Sequence, residues 1–416
     1  MKFVGLITEY NPFHNGHRYH IQKALEVSGA DAAIVVMSGD YVQRGEPAVL
    51  PNRLRAEMAL RCGAAAVFEL PLCYATGSAE LFAFGAVSLL DKLGIIDSIC
   101  FGCECDNLDT LSLIADILSS EPPQYRQILK DELKKGRTFP AARVQALSAC
   151  LPAGSRPDLA DVLSEPNNIL GIEYLKALKK LGSSIKPFAI HREGAAYHDT
   201  RLHASRISSA SSIRRHLAAD AHEEVTELIA AHTPPCCHSL YRNNWGTAYP
   251  METGDFSLLL KYRLLETKQQ NLTQYQDVSK ELSNRIAGQI SSYTGYDSFI
   301  DCLTTKELTR SRIQRALLHI LLNVTAEDTQ TFLENGVHFY AHLLGFQKKY
   351  AGLLSLFSRR CDVPILSAYA DSTNLCPLGK QMLQTGRFAS DVYTSAITDK
   401  FGSLHKPESS QGILKL

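Results

Sequence analysis

Nowhere in the 416-residue chain are there about 18 consecutive apolar residues, so the sequence offers no helix that could span a bilayer. The apolar stretch Phe3 to Ile7 is too short for a secretory leader and is followed at once by polar residues, which makes the cytoplasm the expected location. There is no excess of charge either: 43 basic residues meet 43 acidic ones. The chain therefore lacks the overall electrostatic footprint of a nucleic-acid binder, and any basic surface must be local. Internal repeats, low-complexity tracts and the spaced acid pairs that would point to a glycosidase or a two-metal centre are all absent. The eleven cysteines are an odd number and follow no leader, so they read as reduced thiols rather than a disulfide framework. Cys100, Cys103 and Cys105, and the pair Cys236–Cys237, lack the two-pair spacing of a structural zinc site, and no metal site is expected.

The length suits two or three domains. Over the first two hundred residues, short apolar runs at 2–8, 32–39, 64–71, 98–104 and 185–192 alternate with helical patterns at 17–28, 53–63, 79–94 and 168–182. Such alternation is the mark of βαβ units around a parallel sheet. The expected class is α/β: a Rossmann-like parallel-sheet domain over 1–218, with a helical insertion around 105–165, followed by a mainly α-helical domain over 219–416. Amphipathic stretches at 255–268, 274–293, 306–323 and 327–357 support the second part, with an irregular segment expected from 363 onward and the last dozen residues loosely ordered.

Chemistry concentrates in "TEYNPFHNGHRYH" (8–20), directly behind the first strand. Ligands of parallel sheets bind beyond the carboxyl ends of the strands, and a helix start there favours phosphate. His14 and His17 flank Gly16, which admits a close approach, and two imidazoles can donate hydrogen bonds to phosphoryl oxygens. A second element, "ISSASSIRRHL" (207–217), sets serines before a helix that carries Arg214, a permanent charge suited to phosphate.

His14-Asn15-Gly16-His17 resembles the HxGH signature of the nucleotidyltransferase superfamily, and ISSASSIR resembles its second phosphate motif; the lysine-rich loop of class I synthetases is missing. With "MSGDYVQRGEPAVLPNRLRAEMAL" (37–60), "FGCE" (101–104), "EPNNILGIEYLKAL" (165–178), "HREGAAYHD" (191–199) and "LTRSRIQRALLHILL" (308–322), in this order, the chain is similar to bacterial tRNA(Met) cytidine acetate ligases over nearly its whole length. The resemblance implies that ATP activates acetate as acetyl-adenylate and that the acetyl group passes to N4 of the wobble cytidine, C34, of elongator tRNA(Met). It makes Ile7, Thr8, Glu9, Tyr10, Asn11, Pro12, Phe13, His14, Asn15, Gly16, His17, Arg18, Tyr19 and His20 the ATP loop. Gly102, Asn167, Arg192, Ser208, Ser209 and Arg214 are further nucleotide contacts, and His14, His17 and Arg214 act on the phosphates. Mg2+ is expected as the counter-ion of ATP. No membrane and no obligate protein partner are implied.

Arg312, Arg315 and His319 recur at i, i+3 and i+7, with Arg310 two residues ahead, as a basic strip for the tRNA backbone. Asp40 and Arg44 are expected beside the pocket, and a small apolar wall near Phe13 or Ala48 would select acetate. Lys23 and the histidines at 198, 203, 216, 222, 232 and 238 read as ordinary solvated or packed residues. Two other functions fit the phosphate motifs: adenylyl transfer to a phosphorylated cofactor precursor, and nucleotide-sensing RNA binding without turnover.

Overall fold

The five apolar runs form parallel strands at Phe3–Thr8, Ala32–Ser38, Ala64–Leu70, Ser98–Cys103 and Lys186–His191. The computed structural model describes residues 1–105, 107–151, 159–192, 209–219, 222–267 and 270–416. Ala32–Ser38 is buried at every position, as a strand covered on both faces must be. Phe3–Thr8 lies between Ala32–Ser38 and Ser98–Cys103, with Ala64–Leu70 and Lys186–His191 outside them. The chain thus reverses its direction of winding beside the first strand, where open parallel sheets form their ligand crevice.

The helices stand where the periodicity put them: Asn15–Ser28, Asn52–Arg61, Ala79–Lys92 and Pro166–Leu181, with Gly29 and Gly182 ending the first and last in the left-handed conformation. Leu108–Ser120, Pro123–Lys134, Phe139–Cys150 and Leu159–Ser164 make up the helical insertion. No helix among the described residues is long and apolar enough to cross a membrane.

The second half is mainly helical but differs from expectation in three places. The stretch 327–357 is not one helix: Ala326–Glu334 and Gly352–Arg360 enclose a strand, Ala341–Phe346, that pairs antiparallel with Ala64–Leu70. All six residues of that strand are buried, and so short a run, apolar but for His342, has no periodicity to separate strand from helix. Beyond 363 the chain is irregular only as far as 376 and again after 401, because Pro377–Phe401 is a 25-residue helix. The tail is tied down as well: Leu414–Lys415 adds a parallel strand beside Ala341–Phe346. The long helix docks on the first half, where Tyr393 donates to the Ala48 carbonyl at 2.6 Å and Ser390 to Asp40 at 3.0 Å.

Candidate functional site

After Thr8 the chain turns through Tyr10, at φ 50°, and enters the helix that starts at Asn15. The cap is built from two histidines. His14 Nδ1 accepts the Gly16 N–H at 3.0 Å, and His17 Nδ1 accepts the His14 N–H at 3.3 Å. This is a capping box with imidazoles in place of the usual hydroxyl and carboxylate. A ring nitrogen that accepts carries no proton, so a neutral imidazole held this way keeps its hydrogen on Nε2. Burial, reinforced by Arg192, His232 and Arg214, pushes His14 down to about 3; burial, with His14 and Arg192 beside it, holds His17 well below the ordinary histidine range. Both rings are therefore neutral Nε2–H donors at physiological pH.

The loop is braced from behind. Asn11 Oδ1 accepts the Val49 N–H at 2.8 Å, Tyr241 donates its hydroxyl to the Phe13 carbonyl at 2.5 Å, and Asn15 donates to the Ala231 carbonyl at 3.3 Å. Arg214 donates to the Asn11 carbonyl at 2.6 Å and to Ser211 at 3.2 Å, which brings the second motif onto the first across two hundred residues.

These elements surround a cavity of about 410 Å³, within the range of about 300–1,000 Å³ usual for small-molecule sites. Its polar wall carries His14, His17, His20, Arg192 and Arg214; its apolar wall carries Ala79, Phe82, Phe101, Leu170 and Tyr174. Ile7, Thr8, Glu9, Tyr10, Asn11, Gly16, Tyr19, Gly102, Asn167 and Ser209 also line it. Four residues of the expected loop do not. Pro12 and Phe13 are buried behind it, Asn15 turns to Ala231, and Arg18 is exposed on the outer side of the helix. Ser208, and His198 and His203, lie outside the described residues.

At the far end, Asn168 Oδ1 accepts the N–H groups of Glu104 and Cys105 at 2.9 Å, fixing the loop whose Glu104 carboxylate takes the Asn167 amide and lies 3.6 Å from Arg192. A Cβ on Gly102 would sit 3.1 Å from the Arg192 stem, so the glycine gives Arg192 its path along the strand end. Glu9 lines the cavity half-buried, accepts the Gln43 N–H at 2.8 Å, and desolvation pushes its carboxyl up, against the pull of Arg214, Arg44 and Arg55.

Arg44 lines the cavity, on a hairpin of Tyr41–Val42 and Glu46–Pro47; Asp40 does not. Its carboxylate accepts the Asn52 N–H at 2.8 Å and the Ser390 hydroxyl, and burial raises it to about 6. Phe13 and Ala48 are fully buried and do not line the cavity; Ala79 and Phe82 are among the small and apolar residues that do. Lys23 pairs with Glu26 at 2.8 Å on the surface.

Arg55 was legible only as a cation in a helix. It is fully buried and donates to the carbonyls of Leu50 at 2.9 Å, Ser38 at 3.2 Å, Glu9 and Gly39. It thereby ties the ends of the first two strands together under the ATP loop. Its signal is an arginine on the apolar face of "RLRAEMALR", but its partners are all backbone.

The basic strip does not form as expected. His319 is fully buried, 3.0 Å from both the Thr76 hydroxyl and the Gln276 carbonyl, and Arg315 pairs with Asp277 at 2.8 Å with its side chain mostly covered. Arg310 is exposed but held by Asp297 and Asp301. The helix Arg310–Leu322 turns its i, i+3, i+7 stripe inward because His319 and Arg315 find internal acceptors there; Arg312 is half-buried at its edge.

Residues 1–407 match the family model described as HIGH Nucleotidyl Transferase. The tRNA(Met) cytidine acetate ligase of Acetivibrio thermocellus is 38% identical over 94% of this chain and 94% of its own. That of Thermoanaerobacter sp. is 40% identical over 95% and 96%. The chain belongs to the tRNA(Met) cytidine acetate ligase family. Two crystal structures of Thermotoga maritima TmcAL superpose over 100% of both chains: the apo form at 32% identity and TM-score 0.91, and the form bound with alpha-thio ATP at 31% and 0.88. The likeness to this family covers both halves of the chain, beyond the HNGH loop itself.

Proposed function

We propose that the protein is an ATP-dependent ligase that activates acetate and acetylates N4 of C34 in elongator tRNA(Met). The observation that carries this reading is the pair of imidazoles, His14 and His17, that line one nucleotide-sized cavity with Arg214, each with its Nδ1 held by a backbone N–H. The names of its relatives and the alpha-thio ATP complex of the Thermotoga protein support the substrates.

In the first step an acetate oxygen attacks the α-phosphorus of ATP, the bond to the β-phosphate oxygen breaks, and pyrophosphate leaves. Charge grows on the phosphoryl oxygens. The Nε2–H groups of His14 and His17 donate to it without first having to lose or gain a proton, while Arg214 and Arg192 supply fixed charge. Mg2+ would serve as the counter-ion of the triphosphate and offset its charge. In the second step the N4 amine attacks the acetyl carbon, AMP departs, and one proton is released. His14, His17, Arg192 and Arg214 are assigned to the phosphates; Gly102 and Asn167, with the apolar wall of Phe101 and Leu170, to the nucleoside.

The division at 218 gives the helical part, 219–416, the tRNA. Arg310 and Arg312 are its candidate backbone contacts, and Arg315 serves through its hold on Asp277. The hairpin at the cavity mouth touches this part directly: Gln314 donates to Glu46 at 2.9 Å. The cytoplasm is the proposed location, and no protein partner is required. The test is incubation with ATP, isotopically labelled acetate and tRNA, followed by nucleoside analysis. Label in N4-acetylcytidine of elongator tRNA(Met) is the expected result; acetate-independent adenylyl transfer to a small phosphorylated acceptor would install the alternative.

A further inference from the structure

Cys236 and Cys237 are adjacent in sequence and have no second cysteine pair nearby along the chain, which is why the spacing gives no metal signal. The fold supplies a third thiol from 174 residues away. Cys62 Sγ lies 3.4 Å from Cys236 Sγ and 3.6 Å from Cys237 Sγ, and all three sulfurs fall within 4.8 Å of one another. None of the eleven cysteines is in a disulfide.

Three sulfurs bound to one zinc at about 2.3 Å occupy corners of a tetrahedron whose edge is about 3.8 Å. The observed separations are close to that edge and far from the bonded distance of about 2.05 Å in a disulfide. Cys62 caps the C-terminus of the helix Asn52–Arg61, and Cys236 and Cys237 lie in the single turn Pro235–Cys237 before the helix His238–Asn244, so two segments far apart in sequence converge on one point. Cys62 and Cys237 are buried while Cys236 is exposed, leaving the fourth corner open to solvent.

We propose that Cys62, Cys236 and Cys237 bind a thiophilic divalent metal ion, zinc, with water at the fourth position. Thiolates select zinc over magnesium or calcium because soft ligands prefer the softer ion. Binding replaces three S–H protons, released to solvent, by one Zn2+ and leaves a net charge of −1 on the centre. Arg18 lies near the Cys62 thiol to offset it, and Arg61, paired with Glu57 at 2.7 Å, also reaches the Cys236 carbonyl at 3.4 Å.

The site would act as a staple under the nucleotide loop. On one side it holds the helix that carries Arg55 and ends at the Ala64–Leu70 strand; on the other it holds the helix whose Tyr241 supports the Phe13 carbonyl. This role is independent of what the ligase acylates.

The test is titration of the reduced, chelator-treated full-length protein with Co2+, and then with Zn2+ in competition. One equivalent of cobalt is expected to give the charge-transfer and ligand-field bands of tetrahedral thiolate coordination, and zinc to bleach them. Cys62→Ser and Cys236→Ser should each abolish the bands, while Cys302→Ser and Cys376→Ser, which alter exposed cysteines elsewhere, should keep them. Zinc should raise the melting temperature of the parent protein and not that of Cys236→Ser, a surface change that leaves folding intact. Absence of cobalt bands, bands that survive Cys62→Ser, or recovery of a Cys62–Cys236 disulfide from zinc-treated protein would each overturn the proposal.

Discussion

The rings of His14 and His17 lie 3.8 Å apart, tilted by 31°, and each spends its Nδ1 on the backbone N–H that shapes the helix start. One side chain thus performs two separable tasks. Asparagine places its carbonyl oxygen near the position of Nδ1, whereas glutamine places its amide nitrogen near that of Nε2. His17→Asn is expected to keep the melting temperature and lose activity by about 10²–10³-fold in kcat, the usual effect of deleting one transition-state donor. His17→Gln should keep more activity and melt lower. Thermal melts alongside acetate-dependent pyrophosphate release separate the two; equal activity in both variants would detach Nε2 from the chemistry.

The same geometry sets the pH dependence. The folded His14 titrates at about 3 and an unfolded histidine at about 6.5, so between these values the unfolded chain binds more protons. Stability therefore rises with pH across that window and is complete above it. Pyrophosphate release should be level from about pH 6 to 8, without the limb a titrating histidine would impose. A kcat profile with an inflection near 6.5, abolished in His14→Asn, would contradict neutral imidazoles.

Arg55→Met removes a buried guanidinium and leaves the carbonyls of Glu9, Ser38, Leu50 and Gly39 without that donor. A loss of about 3–5 kcal/mol in unfolding free energy is expected, measured by urea denaturation, together with weaker ATP binding in calorimetry. Arg55→Lys should recover only part of this, since an ammonium cannot span the four acceptors.

Gly45 turns the hairpin at φ +79°, and a Cβ there would fall 2.4 Å from the Arg315 backbone nitrogen. Gly45→Ala is expected to push the hairpin and its Arg44 away from the helix Arg310–Leu322. Acetylation of tRNA should then fall more than acetate-dependent pyrophosphate release, because the contact joins the cavity mouth to the helical half. Equal losses in both steps would deny it that coupling role.

Arg312→Ala and Arg315→Ala are expected to fail differently. Arg315 serves Asp277 inside the protein, so its loss should lower stability by about 1–3 kcal/mol and leave the salt dependence of tRNA binding unchanged. Arg312→Ala should keep the melting temperature and reduce the slope of tRNA affinity against salt by about one.

The sequence shows most clearly what has a period or a contiguous motif. The five parallel strands stand out because each is a dense apolar run between amphipathic helices, and His14, Gly16 and His17 because strand, loop and helix start follow one another. Ala341–Phe346 does not, since a hexapeptide that is apolar but for His342 fits either class and only pairing with Ala64–Leu70 decides it. Arg315 and His319 have the spacing of a basic surface stripe, but Asp277 and Gln276, which turn them inward, come from another segment. Arg55 and the Cys62–Cys236–Cys237 cluster are invisible for the same reason: their meaning lies in partners that only the tertiary fold brings near.

The most direct test of the central claim is exchange of labelled pyrophosphate into ATP, measured without tRNA. Exchange is expected to require acetate, to proceed in the parent protein, and to drop about 10²–10³-fold in His17→Asn. Exchange that proceeds equally without acetate, or that needs a phosphorylated cofactor precursor instead, would contradict the assignment of this site to acetate activation.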